Sequence, residues 1–440
     1  MQNRDTFRRR VAGSAIGSFV EFYSFLVYGL TAPVLARHFF PENSSIALIA
    51  TFAIFAVSFG FGPLGGAFFG YLGDRIGRVR VLGATVLLAG GATLGIGVLP
   101  TYQSIGIAAP IVLLLCRVAQ GFAAGGEPTG AYSYVLESAP SDQRGRWVTF
   151  TVTFAWLGPT VGSILIVCLR TIGGEQAYTD WLWRVPFIIG GIVAVIGLWI
   201  RLKLEDSDEF EQATKQEMAP NPFSRVFREN RRAFGLVLLL GITNGAAAYT
   251  INGYIATYLS ELAGLSATAT LVSSAVVLLL FVIMLPCFGI LTDRVGRRPV
   301  LLGGGAVLLL TAYPAFLLAS TGTLVGAFAA QLLLGVPIAA LQAGFYLASL
   351  ELFPTAARYT GHAVSFNLGN NVVGGATPLV CTVLITSLNL STAPALFLIA
   401  VVIVGLGATS FLPETRHVEL RDSIHRRSGG TRGQEAGTRA

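Results

Sequence analysis

The chain has 440 residues, 53% of them hydrophobic and 12% charged, against ~25% charged in a soluble domain, which excludes an ordinary water-soluble enzyme. A membrane-spanning helix needs ~20 mostly apolar residues, so this length accommodates a dozen with short loops, and an all-α polytopic membrane protein is expected. The formal net charge of +7 would suggest a nucleic-acid partner in a soluble chain; here its meaning depends on where the basic residues fall.

Met1 to Arg10 is basic and leads into an apolar stretch, as a signal peptide does. That stretch carries Glu21 and runs past Leu35 without an evident cleavage site, so it reads as a retained first helix. Apolar runs predict spans near 12–36, 46–72, 80–99, 106–137, 146–169, 184–202, 233–261, 267–291, 299–319, 323–352, 358–387 and 392–411. Those near 106–137 and 323–352 exceed the hydrocarbon thickness and should tilt or project into water. Residues 203–232, polar and carrying Pro220 and Pro222, read as a cytoplasmic linker between bundles at 1–202 and 233–412. The Arg-, Gly- and Thr-rich stretch 413–440 reads as a disordered basic cytoplasmic tail.

An even number of spans puts both termini on one side. With both in the cytoplasm, only Arg37, Arg170 and Arg184 of the 30 Lys and Arg residues lie outside and Arg117 falls within a span; all others are inside. Such a bias fixes the orientation and accounts for the charge without nucleic acid. The cysteines Cys116, Cys168, Cys287 and Cys381 lie in apolar runs without metal-ligand spacing, so no disulfide framework, metal or cofactor is expected. No GxxxxGK[ST], HExxH or GxSxG motif is present, so neither an ATP-driven pump nor an intramembrane hydrolase is indicated, and no catalytic residue is expected.

The chain contains an internal repeat. Gly70-Tyr-Leu72-Gly73-Asp74-Arg75-Ile-Gly77-Arg78 recurs as Gly289-Ile-Leu291-Thr292-Asp293-Arg294-Val-Gly296-Arg297, each placed in the loop after the second helix of its half. Glu137-x-x-Pro140-x-x-x-Arg144 recurs as Glu351-x-x-Pro354-x-x-x-Arg358 after the fourth. Glycines in the first motif permit a tight turn, and Asp74 and Asp293 can receive arginine or cap a helix. Arg144 and Arg358 are the expected partners of those aspartates. The set, including Arg75, Arg78, Arg294 and Arg297, reads as a cytoplasmic gate that latches helix ends in one state, against the alternative of plain positive-inside anchors.

These duplicated loops, with Arg117-Val-Ala-Gln120-Gly121, resemble the major facilitator superfamily of secondary transporters. Within it, Gly17-x-x-x-Glu21-Phe22-Tyr23-Ser24-Phe25-x-x-Tyr28-Gly29, Arg117-x-x-Gln120-Gly121-x-x-x-Gly125-Gly126-Glu127, Arg201-Leu-x-Leu204-Glu205-Asp206-Ser207 and Glu351-Leu-Phe-Pro354-Thr-x-x-Arg358-Tyr-Thr-Gly361 resemble the metabolite:proton symporter family. The resemblance implies two pseudo-symmetric six-helix bundles around a central cavity, a functional monomer in the plasma membrane bilayer, and proton-driven import of a small organic acid or a zwitterion such as proline or betaine. Family members usually carry an aspartate where this chain has Ser24, so coupling here would rest on Glu21 or Glu127, or be absent.

A charge in the bilayer centre costs at least ~2.5–3.5 kcal/mol, which makes intramembrane ionisable groups functional candidates. Glu21 and Arg117 fall near mid-span. Either they form a structural ion pair, or Arg117 attracts an anionic solute or displaces the Glu21 proton. Glu127 shares a helix face with Gln120 and is a second proton-relay candidate, or a conformational salt bridge. Asn367, Asn370 and Asn371 share one face of the eleventh span. With Asn244, Asn252 and Gln342 they are candidates for solute recognition or for helix–helix hydrogen bonds. Tyr23, Tyr28 and Tyr249 could add donors or cation–π faces. His362 reads as an interface residue, and Gly158-Pro159-x-x-Gly162, a partial match to a motif of proton-driven exporters, as a packing feature. The readings carried forward are a proton-coupled importer, an uncoupled uniporter or proton-antiport exporter of the same fold, and, from another class, a transport-inactive sensor or scaffold.

Overall fold

The computed structural model describes residues 2–41, 47–204, 206, 210 and 225–420. Twelve helices in it are long and apolar enough to cross a membrane, and no strand occurs among the described residues. We number them α1 (Gln2–Phe39), α2 (Ala47–Ile76), α3 (Arg78–Val98), α4 (Ala108–Ser138), α5 (Arg144–Gly173) and α6 (Arg184–Arg201). In the second half, α7 starts as Arg231–Tyr249 and continues through π-helical turns to Leu262, α8 is Ala267–Val295, α9 Arg297–Ala319 and α10 Leu324–Glu351. The α11 helix starts as Thr355–Phe366, passes a π-helical stretch at Asn367–Val373 and ends at Leu388, and α12 is Ala393–Ser410.

Each predicted span corresponds to one of these helices. Several run further at one end than apolarity suggests, because a helix closes its backbone hydrogen bonds whether or not its last turn is in hydrocarbon. The chain divides into two compact units, Met1–Val135 with Phe150–Asp206, and Leu136–Thr149 with Ser207–Ala440. The loop between α4 and α5 thus belongs to the second unit although the helices it joins belong mostly to the first. Leu64, Leu115, Ile164, Val195, Ile283 and Leu310 are each more than half exposed; such side chains are lipid-facing in a membrane protein, where apolar exposure is not penalised.

The repeated motif is not a loop. Gly70–Ile76 completes α2, Arg78 begins α3, and Gly77 alone forms the turn at φ 105°, as Gly296 does at φ 104° between α8 and α9. A side chain at either position would be strained in that region. Neither turn glycine can cap the helix that follows. Instead Asp206 accepts from the Val79 amide at 2.9 Å, and Glu414 accepts from the amides of Arg297 and Arg298 at 2.9 and 3.0 Å, so a distant carboxylate supplies each N-terminus with acceptors and complements its dipole.

The tail expected to be disordered from residue 413 is placed as far as Leu420, where it packs on the second unit; 421–440 and most of the predicted linker lie outside the described residues.

Candidate functional site: buried charges in the first unit, buried amides in the second

In the first unit the deepest charge cluster lies where α1, α3, α4 and α6 meet. Both carboxylate oxygens of Glu127 are engaged by the two terminal nitrogens of Arg201, and Oε2 also accepts from the Thr85 hydroxyl at 2.5 Å. Arg201 also donates to the carbonyls of Gly13 at 2.9 Å and Leu82 at 2.6 Å, so four of its five N–H groups are engaged. A bidentate arginine–carboxylate pair with further hydrogen bonds to backbone carbonyls is the arrangement in which burial of both charges is tolerable. Gly17 makes room for it, since a Cβ there would collide with the Arg201 guanidinium and Glu127 Oε1.

Glu21, one turn beyond Gly17, lies within electrostatic reach of both partners. It is 6% exposed, and its Oε2 has no hydrogen-bond partner. Ser24, which stands where the family usually has an aspartate, donates back to the Glu21 carbonyl at 2.8 Å, so its hydroxyl is spent inside α1.

The expected Glu21–Arg117 pair does not form. Arg117, fully buried, donates to Gln120 Oε1 at 2.7 Å and Ser58 Oγ at 2.8 Å. The faces of Phe25, Tyr28 and Phe55 surround its guanidinium with centroids 4.7, 4.4 and 4.9 Å away. Weak hydration of the guanidinium and the ring quadrupoles let aromatic faces take the place of a carboxylate. Gln120 passes the chain of bonds to Thr93 at 2.8 Å. The polar face of α4 is therefore turned onto α3, Gln120 meeting Thr93 and Glu127 meeting Thr85. Tyr23 and Tyr28 spend their hydroxyls on the carbonyls of Pro186 and Thr51 at 2.8 and 3.1 Å; Tyr28 still offers its ring to a cation, but Tyr23 is a packing tyrosine.

Between α7 and α11 the second unit buries neutral amides; its buried ion pairs, Arg297–Glu351 and Arg358–Glu137, lie apart from them at the helix ends that carry the repeated motifs. Asn244 Nδ2 donates to Asn370 Oδ1, Asn370 to Asn371, Asn371 to Asn367, each at 2.8 Å, and Asn367 closes on the Ala363 carbonyl at 2.8 Å. The relay crosses from α7 to α11 and coincides with the π-helical stretch Asn367–Val373, whose extra residue per turn brings Asn370 and Asn371 both to the seam; π-bulges of this kind favour functional sites. Asn244 Oδ1 is left without a partner, and so are both amide atoms of the fully buried Gln342 on α10. Tyr249 is half-buried beside Gly375, and Asn252 is exposed and stands apart from the relay.

At the helix ends that carry the repeated motif, its arginines serve its own aspartates: Arg78 pairs with Asp74 at 2.5 Å, and Arg297 reaches Asp293 at 3.5 Å. Asp293 is thus served by Arg297 and not by the expected Arg358. Arg297 also grips Glu351 through Nε and Nη2 at 3.0 and 2.9 Å, leaving Asp293 to cap α5 by accepting from Gly145 and Arg146 at 2.7 and 2.9 Å. Arg358 binds Glu137 in the last turn of α4 at 2.6 Å, and Arg144 donates to the Val418 carbonyl at 3.0 Å. Arg75 and Arg294 are exposed. His362 is buried, contacting Ser349 at 3.0 Å and stacking on Phe366. No cluster of potential metal ligands occurs among the described residues.

The sequence reading missed Arg201 as the partner of Glu127. Arg201 was counted only among the basic residues of the inner side, whereas it is 1% exposed; an unmatched acid in a span was the available signal that a cation had to be near. Thr85, Asp206 and Glu414 carried no comparable signal.

Residues 14–378 match the Major Facilitator Superfamily. The proline/betaine transporter of Escherichia coli strain K12 is 33% identical over 428 residues, covering 94% of this chain and 85% of that one. The glycine betaine/proline/ectoine/pipecolic acid transporter OusA of Dickeya dadantii strain 3937 is 32% identical over the same length. Among solved structures, the proton:xylose symporter XylE superposes with a TM-score of 0.78 at 17% identity, over 96% of this chain and 99% of that chain. The chain belongs to the major facilitator superfamily: it is a multi-pass transporter of the plasma membrane, of the proline/betaine-transporter type, and not an enzyme.

Proposed function

We propose that this transporter imports a small zwitterion of the proline and betaine class together with a proton, by alternating access, and that Glu21 carries the proton. The observation that carries this reading is the inequality of two nearby carboxyls. Glu127 has a permanent counter-ion in Arg201, whereas Glu21 has a buried oxygen with no partner at all. A buried carboxyl oxygen with no hydrogen-bond partner is open to a proton or a water that reaches it, which is the property a coupling site needs. Glu127 is then a fixed counter-charge that positions Arg201 and sets the field at Glu21, not a relay.

Arg117, caged by aromatic rings, is a positioning residue for α4, and the neutral relay Asn244–Asn370–Asn371–Asn367, with Gln342, grips the polar groups of the solute. Neutral amides suit a solute with no net charge, because no desolvated counter-ion is left behind when the site empties. The names of the relatives support this class. Asp74, Arg78, Glu137, Asp293, Arg297, Glu351 and Arg358 hold the cytoplasmic gate, both termini lie in the cytoplasm, and the working unit is a monomer in the lipid bilayer.

The test is uptake of labelled proline, glycine betaine, shikimate and 2-oxoglutarate into proteoliposomes under an inward proton gradient. Accumulation of proline or betaine that a protonophore collapses is expected. Uptake insensitive to the protonophore would make this a uniporter, and accumulation of 2-oxoglutarate alone would overturn the solute class.

A further inference from the structure

Past the end of α12 the chain does not leave the protein. Pro413–Leu420 runs across the cytoplasmic ends of the second unit and is tied down at each step. Glu414 caps α9, the buried Thr415 hydroxyl donates to Glu351 at 2.6 Å, and Arg416 donates to the Arg294 carbonyl at 2.5 Å.

The last two ties reach the gate. The Val418 carbonyl accepts from Arg144 at 3.0 Å. The Leu420 carbonyl accepts three bonds, from the Thr355 amide at 2.9 Å, the Thr355 hydroxyl at 2.8 Å and Arg358 Nη2 at 2.8 Å. The N-cap of α11 is Pro354, which has no side-chain acceptor, so the orphan amide at that helix start is satisfied by Leu420. The same carbonyl holds the guanidinium that binds Glu137. The Leu420 side chain is 4% exposed, which anchors the carbonyl in place.

We propose that Pro413–Leu420 is a built-in clasp on the cytoplasmic gate: while it is seated, Arg358 and Arg144 are held in the geometry that keeps the α4–α5 junction, Leu136–Thr149, in place within the second unit, and its release frees that junction. The proposal rests on the transport reading above for its consequence, but its test does not use a solute.

The experiment is hydrogen–deuterium exchange of the full-length protein in nanodiscs without added solute, comparing wild type, Leu420→Asp, a chain ended after Glu414 and a chain ended after Leu420. In Leu420→Asp and the shorter chain, exchange in 136–149 and 355–366 should rise together by at least about tenfold, the weight of one charge-assisted hydrogen bond. The chain ended after Leu420 should match wild type. The proposal is overturned if Leu420→Asp raises exchange only within 413–420, or if ending the chain after Leu420 loosens the junction equally. Should both disruptive variants unfold globally, Leu420→Ala decides: it withdraws the buried anchor of the carbonyl and leaves Arg358 and Thr355 intact, and it must raise exchange in 136–149, an unchanged rate there overturning the clasp.

Discussion

Away from the helix ends, where both units bury ion pairs, the two units handle buried polarity in opposite ways. The first encloses Glu21, Arg117, Glu127 and Arg201, all at or below 6% exposure, and neutralises them unequally. The second carries its polarity between α7 and α11 as uncharged amides linked head to tail. A carboxyl can change its charge in a buried site, and an amide cannot. The difference therefore divides the labour: a proton can be held and released in the first unit, while the second can grip and release a solute without altering its own charge.

The sharpest way to break this division is at the counter-ion. Arg201→Ala leaves Glu127 buried without a cation and should cost about 3–5 kcal/mol, read as a large loss of thermal stability in detergent. Arg201→Ala combined with Glu127→Gln should recover much of that loss, because the stranded charge is gone. Were Glu127 a proton relay instead, Arg201→Ala would leave stability little changed.

Next in size is Gly17→Ala. The added methyl meets the Arg201–Glu127 pair, and overpacking of this kind costs about 1–3 kcal/mol. Ala15→Gly on the same helix, whose native side chain is 2% exposed, should cost less than Gly17→Ala; equal losses would mean that Gly17 serves only helix packing.

In the second unit, Asn370→Ala removes the acceptor of Asn244 and the donor to Asn371. Leaving Asn244 unpaired should weaken solute affinity by about 1–3 kcal/mol, measured as a rise in KM with proton coupling intact. A loss of coupling in that variant would move the proton site out of the first unit. The smallest effect is expected for Asn252→Ala, which is exposed and apart from the relay; solute KM should stay within about twofold of wild type, since surface substitutions away from such features change energies by ~0.5 kcal/mol or less.

How much of this was legible beforehand depends on whether the cause was local. Span number and position follow from apolar runs, and the twin turns at Gly77 and Gly296 were marked by a repeated motif. The asparagine face of α11 was visible as i, i+3, i+4 spacing, although the π-helical stretch that aligns it was not, since nothing in Asn367–Val373 alone requires one more residue per turn. Pairing across helices was the illegible part. Arg117 and Glu21 were both near mid-span and opposite in charge, yet Arg117 turned to aromatic rings and Ser58, and Glu127 found Arg201 across the bundle. Sequence gives the depth of a group along its helix but not the rotation of that helix toward one neighbour or another, and rotation decides which charges meet. The same limit hid Glu414 and Leu420, because a tail rich in arginine and glycine carries no sign of the carbonyls it will offer.

The central claim is that Glu21 carries the coupling proton. The direct measurement places wild type and Glu21→Gln in proteoliposomes with a trapped pH dye, adds proline or glycine betaine outside, and follows internal acidification beside exchange of labelled solute. Wild type should acidify the lumen, while Glu21→Gln should exchange solute across the membrane without acidification. Acidification by Glu21→Gln at the wild-type rate would contradict the account.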